Sequence, residues 1–565
     1  ASNNTAVGSS ALLANTTGIK NNAFGVRTLS ANTTGTQNDA FGYQSLDANT
    51  TGSYNTAFGN SALGGNTTAS YNTAIGWYAL VANTTGHYNT AVGGAVLDAN
   101  TTGQYNTGAG YGSLSENTTG SSNVAVGTNS LQLNTTGASV TAVGYGALQA
   151  NTTASQNDAF GYVALNLNTT GTQNCAFGYA SLDANTTGSQ NVGVGTGALS
   201  GNTTASGNTA VGFNALLDNT TGAYNTAVGY FAAVNGHDAN YITAVGYKAL
   251  YTSGTSASHN TAIGAFVLST ADGNAEYCTG VGSRCLEATT SGDNNTGVGA
   301  NALKLNTTGE RNSAVGTNSL LSNTTGVQNT SIGLNALASN TTANNNTCVG
   351  WESLYQNTTG NHNVALGTYS GREITTGAHN IVIGHQAATY STNLTTGNYN
   401  THLGNYTTPS AAGVDYETAL GYNVTGQGTE TATLRGTPYN SANADWGTYS
   451  DVRIKKNVTD NKKGLDAINQ IRVRNFEYKT KEEILNDSPE LIDVVDAAVK
   501  EQKGIQVGVV AQELQAVLPE LVQEESTTVL SVVPTELKWY MVNAVQELSA
   551  KVEELSAKVA ALEAG

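Results

Sequence analysis

The chain has 565 residues, of which 66 are glycine, 5 proline and one methionine, and only 11% are charged, a composition that excludes a row of ordinary mixed-core domains. The net charge of −17 comes without any basic patch, so nucleic-acid binding is excluded as a function class. No run approaches the ~18 apolar residues of a membrane span, and the opening ASNNTAVG has neither a charged nor an apolar leader, so no membrane insertion is expected.

From the first residues the chain repeats. The glycine of NTAVG recurs at Gly8, Gly25, Gly42 and Gly59 and onward to Gly246 in steps of 17, then twice in steps of 18 to Gly264 and Gly282. Steps of 17 resume to Gly384, one of 20 reaches Gly404, and a last of 17 reaches Gly421, which makes 25 marker glycines. Counting from that glycine, Asn stands at −4, Thr and Ala follow, and Val, Phe or Ile stands at −1. Ala or Ser comes at +3, Leu at +4, and NTTG or NTTA begins at +7. Two short extended pieces per unit, around TAV and around AL, are predicted between corners rich in Asn, Gly and Thr.

No unit has enough apolar surface to fold alone, so the repeat predicts a parallel β-solenoid in which stacked coils hide Val and Leu against one another. Asn at a fixed coil position can form an amide ladder along the axis, and glycine supplies the positive φ of a corner. At ~4.8 Å per coil, 25 units give a rod on the order of 120 Å. With Ala and Gly outnumbering large apolar residues, several chains are expected to pack side by side.

The TAVG and NTTG rhythm resembles the head repeats of trimeric autotransporter adhesins and repeats of phage and algal-virus fibre proteins. That resemblance implies a trimer of parallel β-rolls. The period of 17 and the Thr within NTAVG depart from the adhesin element, which has a shorter period and Val there.

Several features of this shaft, residues 1–390, bear on chemistry. NTT is an N-x-T sequon at Asn15, Asn49 and Asn83, but the same motif already has a corner to build. The cysteines, Cys175, Cys278, Cys285 and Cys348, fill positions of small residues and read as buried side chains. All seven histidines, His87, His237, His259, His362, His379, His385 and His402, precede residue 450, mostly at variable repeat positions. Asp47, Asp98 and Asp183 share one coil position, read as a solvated face ahead of a cation-binding row. Tyr54, Tyr71, Tyr88 and Tyr105 share +12, as a packed spine or as a row able to stack on sugars. No cofactor and no metal site is expected. Regularity is interrupted over 391–449, which brings in Pro409, Pro438 and Trp446 and is the candidate receptor-contact region.

At residue 450 the composition changes. Residues 1–449 carry 8 Lys and Arg against 19 Asp and Glu, and residues 450–565 carry 14 against 20. IKKNV and RNFEYK read as short strands or turns, KEEILNDSPELIDVVDAAVKEQ as an amphipathic helix, and IQVGVVAQELQAVLPELV as a strand running into a helix that stops before Pro519. Met541, Val545, Leu548, Val552, Leu555, Val559 and Leu562 alternate steps of four and three, a coiled coil over about 537–563 with Lys551, Glu553, Glu554 and Lys558 outside it. Val at a and Leu at d favour two strands by pattern alone.

YSDVRIKKNV (449–458), then GVVAQELQAVLPELV, then VQELSAKVEELSAKVAALE together resemble the intramolecular chaperone domain of endosialidase tailspikes, L-shaped tail fibres, neck appendages and the myelin regulatory factor. The resemblance covers about the last 116 residues. It implies a small α/β domain that trimerises and then cuts itself off with a Ser/Lys dyad. Carried over residue by residue, the nucleophile is Ser450, the base Lys455, the scissile bond Tyr449–Ser450, and the supporting positions are Asp451, Arg453 and Asn457. Ile454 and Val458 replace the family's Leu and Ile. A spacing of five puts Ser450 and Lys455 on opposite faces of a strand and about 140° apart on a helix, so a fold-back or a neighbouring chain has to bring them together.

The expectation is a mostly β, homotrimeric fibre of a virion, probing a host glycan or protein receptor and joined to other virion proteins at its N-terminal end. Its one enzymatic act would be a single self-cleavage, with no activity on an external substrate. A cell-surface trimeric adhesin and a glycan-degrading tailspike are the alternatives. No carboxylate pair singles itself out for the latter.

Overall fold

The computed structural model describes residues 2–236, 238–253, 257–271, 275–435, 461, 463–489, 504–524, 530–532 and 534–563. The chain divides into two compact units, Ala1–Tyr439 and Asn440–Gly565.

In the first unit, 26 strands of three residues each form one parallel sheet, from Thr5–Val7 to Ala432–Leu434. Each strand pairs with its counterpart in the next unit without slippage, as in Thr5↔Asn22, Ala6↔Ala23 and Val7↔Phe24. One 17-residue unit is therefore one coil of a solenoid. The longer steps leave the register intact: Thr243 still faces Thr261 and Ile381 faces Thr401. Their extra residues fall at one corner, between the +4 residue and the next strand, where Thr252–Ser253 and Thr270–Ala271 form a second, two-stranded parallel pair. The last coil is shorter, with Thr418 facing Ala432.

Every marker glycine has φ between +119° and +144°. A Cβ on any ordinary residue is strained there. The expected Asn ladder is present, and it runs at two coil positions. At −4, Asn38 N–H donates to Asn21 Oδ1 of the preceding coil at 3.0 Å, and its Nδ2 donates to the Gly52 carbonyl at 2.9 Å. At +7, Asn49 Nδ2 donates to Asn32 Oδ1 at 2.8 Å and to the same Gly52 carbonyl at 2.9 Å. These amides are wholly buried, so a break would leave polar groups unpaired at about 1–3 kcal/mol each.

Two details correct the sequence expectation. Val, Phe or Ile at −1 does not face the core. Strand alternation turns Ala at −2 inward, with Ala23, Ala40 and Ala57 fully buried, and turns −1 outward, with Phe58 52% and Ile75 43% exposed. In most coils the interior at −2 holds no more than a methyl; Val382 and His402 fill it where +4 of the preceding coil is Gly371 or Ala388 instead of Leu. Where +3 is larger, even the methyl goes: a Cβ on Gly108 would meet Val96 Cγ1 at 2.5 Å, and one on Gly280 would meet Val267 Cγ1 at 2.5 Å.

The AL piece is likewise not a second strand. Leu29, Leu46 and Leu63 at +4 have φ of +52°, +51° and +53°. The left-handed turn costs a Leu about 1–2 kcal/mol. Complete burial returns about 2 kcal/mol, and the freed N–H is used, Leu46 donating to the Ala62 carbonyl at 3.0 Å. Burial wins, and the coil turns inward on its largest core side chain.

In the second unit, Arg474–Phe476 pairs antiparallel with Gln506–Gly508, and Val522–Glu524 pairs with Leu530–Val532. Short helices span Leu465–Ile468, Lys481–Asp487 and Ala511–Gln515, and a long one spans Pro534–Glu563. The strand-then-helix reading before Pro519 is as expected, with Pro519–Leu521 forming a 3-10 turn. Of the long amphipathic stretch only the first part is described, opened by a capping box in which Thr480 and Glu483 serve each other's backbone. A small core joins Leu514, Leu518, Leu521 and Tyr540 to Ile468, Ile471, Val509 and Leu537.

Candidate functional site

The shaft surface disposes of several sequence candidates. The Tyr row at +12 is exposed, yet Tyr54, Tyr71, Tyr88 and Tyr105 stack face to face at 4.8, 5.0 and 5.1 Å. Their faces cover one another, which leaves edges and no open plate for a sugar. Asp47, Asp98 and Asp183 stand three and five coils apart and form no row. Asp47 instead accepts from Arg27 Nη2 at 3.0 Å. No group of three or more metal-ligating side chains exists among the described residues. The sequon amides at Asn49 and Asn83 are buried inside the +7 ladder.

All four cysteines are free thiols. Cys278 takes over a ladder position, its Sγ meeting the Gly292 carbonyl at 3.2 Å as an Asn amide would. Burial pushes the Cys278 and Cys285 thiols up to about 11 and about 12, and raises that of Cys348 too. Such thiols stay protonated and inert. Cys175 alone is half-exposed.

One buried pair lies in the last coils. His402 occupies the Ala position at −2 and Glu417 the Asn position at −4 of the following coil, both fully buried, with Nε2 and Oε2 3.7 Å apart. Glu417 accepts from Ser410 N–H at 3.0 Å and Gly428 N–H at 2.9 Å. Neither ring nitrogen of His402 has a hydrogen-bond partner among the described residues.

Desolvation, partly offset by Glu417, lowers the imidazole to about 4. The unfolded chain takes up its proton near pH 6.5 and the folded chain only near 4, so stability falls as pH drops through that window. The loss should reach about 3 kcal/mol at pH 4. The opening free energy of residues 385–435, read from amide hydrogen exchange corrected for the intrinsic rate at each pH, should therefore fall between pH 6.5 and 4. His402→Ala, which restores the repeat's own residue, should abolish that dependence on the coils' opening free energy.

The expected cleavage motif, Tyr449, Ser450, Asp451, Arg453, Lys455 and Asn457, lies outside the described residues, as do His237, Pro438 and Trp446. Past it, Asn461 and the residues from Lys463 onward are pinned within the second unit. Asn543 Nδ2 donates to the carbonyls of Asn461 and Lys463 at 3.0 and 3.3 Å. Leu465 N–H donates to Glu547 Oε2 at 2.8 Å. Lys463 Nζ meets Glu520 Oε1 at 2.7 Å, and Tyr540 Oη donates to the same oxygen at 2.8 Å. The Lys463 hydrogen bond above all holds the Glu520 carboxyl down at about 2.

The clamp ties the segment just past the motif to the helix that carries the heptads. Sequence reading found none of its five partners, because Lys463, Glu520, Tyr540, Asn543 and Glu547 follow no local spacing. On the same helix the heptad row stands bare: Val545 is 64%, Leu548 50%, Val552 53%, Leu555 60% and Leu562 81% exposed.

Comparison with known families places a match on this unit. Residues 450–523 fit the family described as Chaperone of endosialidase. The match begins on Ser450 and ends before the long helix, so Tyr540, Asn543 and Glu547 lie beyond it. No curated protein matches the chain. A long parallel β-solenoid followed by a chaperone segment of this family fits a tail-fibre- or tailspike-like protein.

Proposed function

We propose that the chain is the subunit of a homotrimeric viral fibre, of the tail-fibre type, whose C-terminal unit gathers three copies, starts the solenoid in register and is then cut away. The observation that carries the reading is the pairing, in one chain, of a segment that fits the Chaperone of endosialidase family with a following helix whose apolar heptad row is left exposed among the described residues. A parallel sheet with 26 near-identical strands can start in many registers. A coiled coil removes that choice by fixing the chains at one end and raising their local concentration.

In the cut, Ser450 Oγ attacks the Tyr449 carbonyl carbon while Lys455, neutral, takes the hydroxyl proton and passes a proton to the departing α-amine. The peptide C–N bond breaks and an ester joins Tyr449 to Ser450 Oγ. Water then hydrolyses the ester, leaving a Tyr449 carboxylate and a restored Ser450 hydroxyl. A base at this position has to be neutral, and like charge at Lys456 and Arg453 in the sequence would favour that. Release removes the register-setting end, so the shaft is held by its unfolding barrier.

The receptor would be a host-surface glycan or protein met near the end of the shaft. There Tyr390 and Tyr422, 55% and 62% exposed, meet Tyr406 edge to face instead of stacking, which leaves aromatic faces open. Other virion proteins would hold the opposite, N-terminal end.

The test is expression of wild type, Ser450→Ala and Lys455→Ala, each analysed by denaturing gel and intact mass. Wild type should give pieces of 449 and 116 residues, and each variant a single chain of 565. Intact wild type in a preparation with trimeric mass would end the protease assignment.

A further inference from the structure

The shaft carries a line of apolar side chains that its own fold does not cover. Position −1 is apolar in all 26 strands, from Val7 through Phe24, Phe58 and Ile75 to Leu434, and none of these side chains is buried. Position +1, on the same side of the backbone, is often aromatic: Tyr43, Trp77, Tyr111, Tyr145, Tyr162 and Tyr179 are all at least half exposed. Position −3 is mostly Thr. Across these three positions the strands and their flanks carry charge only at Asp39 and Asp158, before the closing Arg435. The other cations and carboxylates fall at other coil positions, as with Arg27, Lys248 and Glu352 at +2.

We infer that this face, with −1 at its centre, is the surface on which copies of this chain pack against one another, parallel and in register, along the length of the shaft. The inference rests on the homotrimer reading above and adds to it the surface on which the trimer is built. Three properties favour a copy of this chain over a foreign partner. The first is area: of the 26 side chains, fourteen are 37–55% exposed and the other twelve partly so, which leaves on the order of 1,500 Å2 in one line, against the few hundred Å2 of an ordinary surface patch. It also exceeds the ~800 Å2 that a stable interface takes from each partner.

The second is composition, since depletion of charge with enrichment of Tyr, Trp and Phe marks the centre of interfaces. The third is periodicity. A face that repeats with every strand is matched, strand for strand, only by something with the same rise, and another copy has it. Position +12 makes the contrast, for it is equally exposed but mixes Tyr with Lys20, Arg311 and several Gln. The two flanks also differ, Thr on one side and aromatic on the other, which suits a cyclic arrangement in which the −3 flank of one copy meets the +1 flank of the next.

Thiol protection tests the assignment on the assembled protein. Val228→Cys places a thiol at −1 and Tyr224→Cys places one at +12 of the preceding coil; in the single chain these residues are 37% and 59% exposed. In the native assembly a maleimide should modify the +12 thiol fully and the −1 thiol at least tenfold more slowly. Heat dissociation should equalise them. The unaltered protein supplies a second readout, because Cys175 lies at −3 on the same face and should be protected as well. Equal, fast modification in a preparation of trimeric mass would overturn the face and leave the trimer standing. A single-chain mass would overturn the trimer, and this inference with it.

Discussion

Gly178→Ala is expected to break the solenoid at a single coil. Gly178 has φ of +138°, and a Cβ there would lie 2.6 Å from both the carbonyl carbon and the carbonyl oxygen of Gly195 in the next coil. Neither atom can give way, because both belong to backbone that is itself held in register by the Cys175↔Val192 to Phe177↔Val194 pairing. The backbone strain and the overlap together should cost at least ~4 kcal/mol, the range reserved for a few mechanisms of failure.

Since each coil touches only its neighbours, the damage should stay local and appear as a new protease-sensitive point near residues 178–196, with the flanking coils protected. Gly94→Ala is the matched control. Gly94 lies outside the left-handed region and an added Cβ would find its nearest atom, Tyr111 Cδ2, at 3.5 Å. That variant should be neutral or stabilised by up to about 1 kcal/mol. Equal protease resistance of the two variants would contradict the coil-on-coil contact.

The same contrast shows what could be read in the sequence. The marker glycine, the 17-residue step and the Asn positions are fixed by backbone requirements that recur in every coil, so they stand out as letters. Which way Val points is different. In TAV both faces carry something apolar, and a hydrophobicity rule prefers Val to Ala for the core. The interior decides otherwise, because in most coils Leu at +4 and the side chain at +3 already fill it and leave −2 a methyl or less, as the Val96 and Gly108 pair shows for +3. The αL conformation of that Leu was likewise hidden, since no local rule favours positive φ at a Leu; only its complete burial does.

His402 and Glu417 could have been found, for in the last coils they are the ionisable residues in slots held in most coils by Ala and Asn. The clamp at Asn461 and Lys463 could not. Its partners lie 57 to 82 residues away, and they are polar residues on exposed helix faces like many others. The proposed cleavage motif is legible for a third reason: YSDVRIKKNV sets a serine and a lysine in a family pattern of ten letters, and the family match begins on its serine.

The coiled coil governs the other large effect. Leu548→Asp with Leu555→Asp should leave the C-terminal unit of each chain folded, because both side chains are at least half exposed and the small core is built from Leu514, Leu518, Leu521 and Tyr540. In an assembled seam the same two carboxylates would be buried without partners, at several kcal/mol each and repeated in every copy. Association should weaken by at least a thousandfold, giving single-chain mass in sedimentation at micromolar protein.

Two consequences should follow in order. Without the seam the dyad has no assembled chain to complete it, so the 565-residue chain should remain uncut. Without a common register the shaft should start out of step and expose sheet edges, so soluble yield should fall. Glu554→Ala removes only the exposed i,i+4 pair with Lys558 and should cost about 0.3–0.5 kcal/mol, without effect on mass or cleavage. Efficient cleavage by the double variant at single-chain mass would place nucleophile and base within one chain, and would separate the protease from assembly altogether.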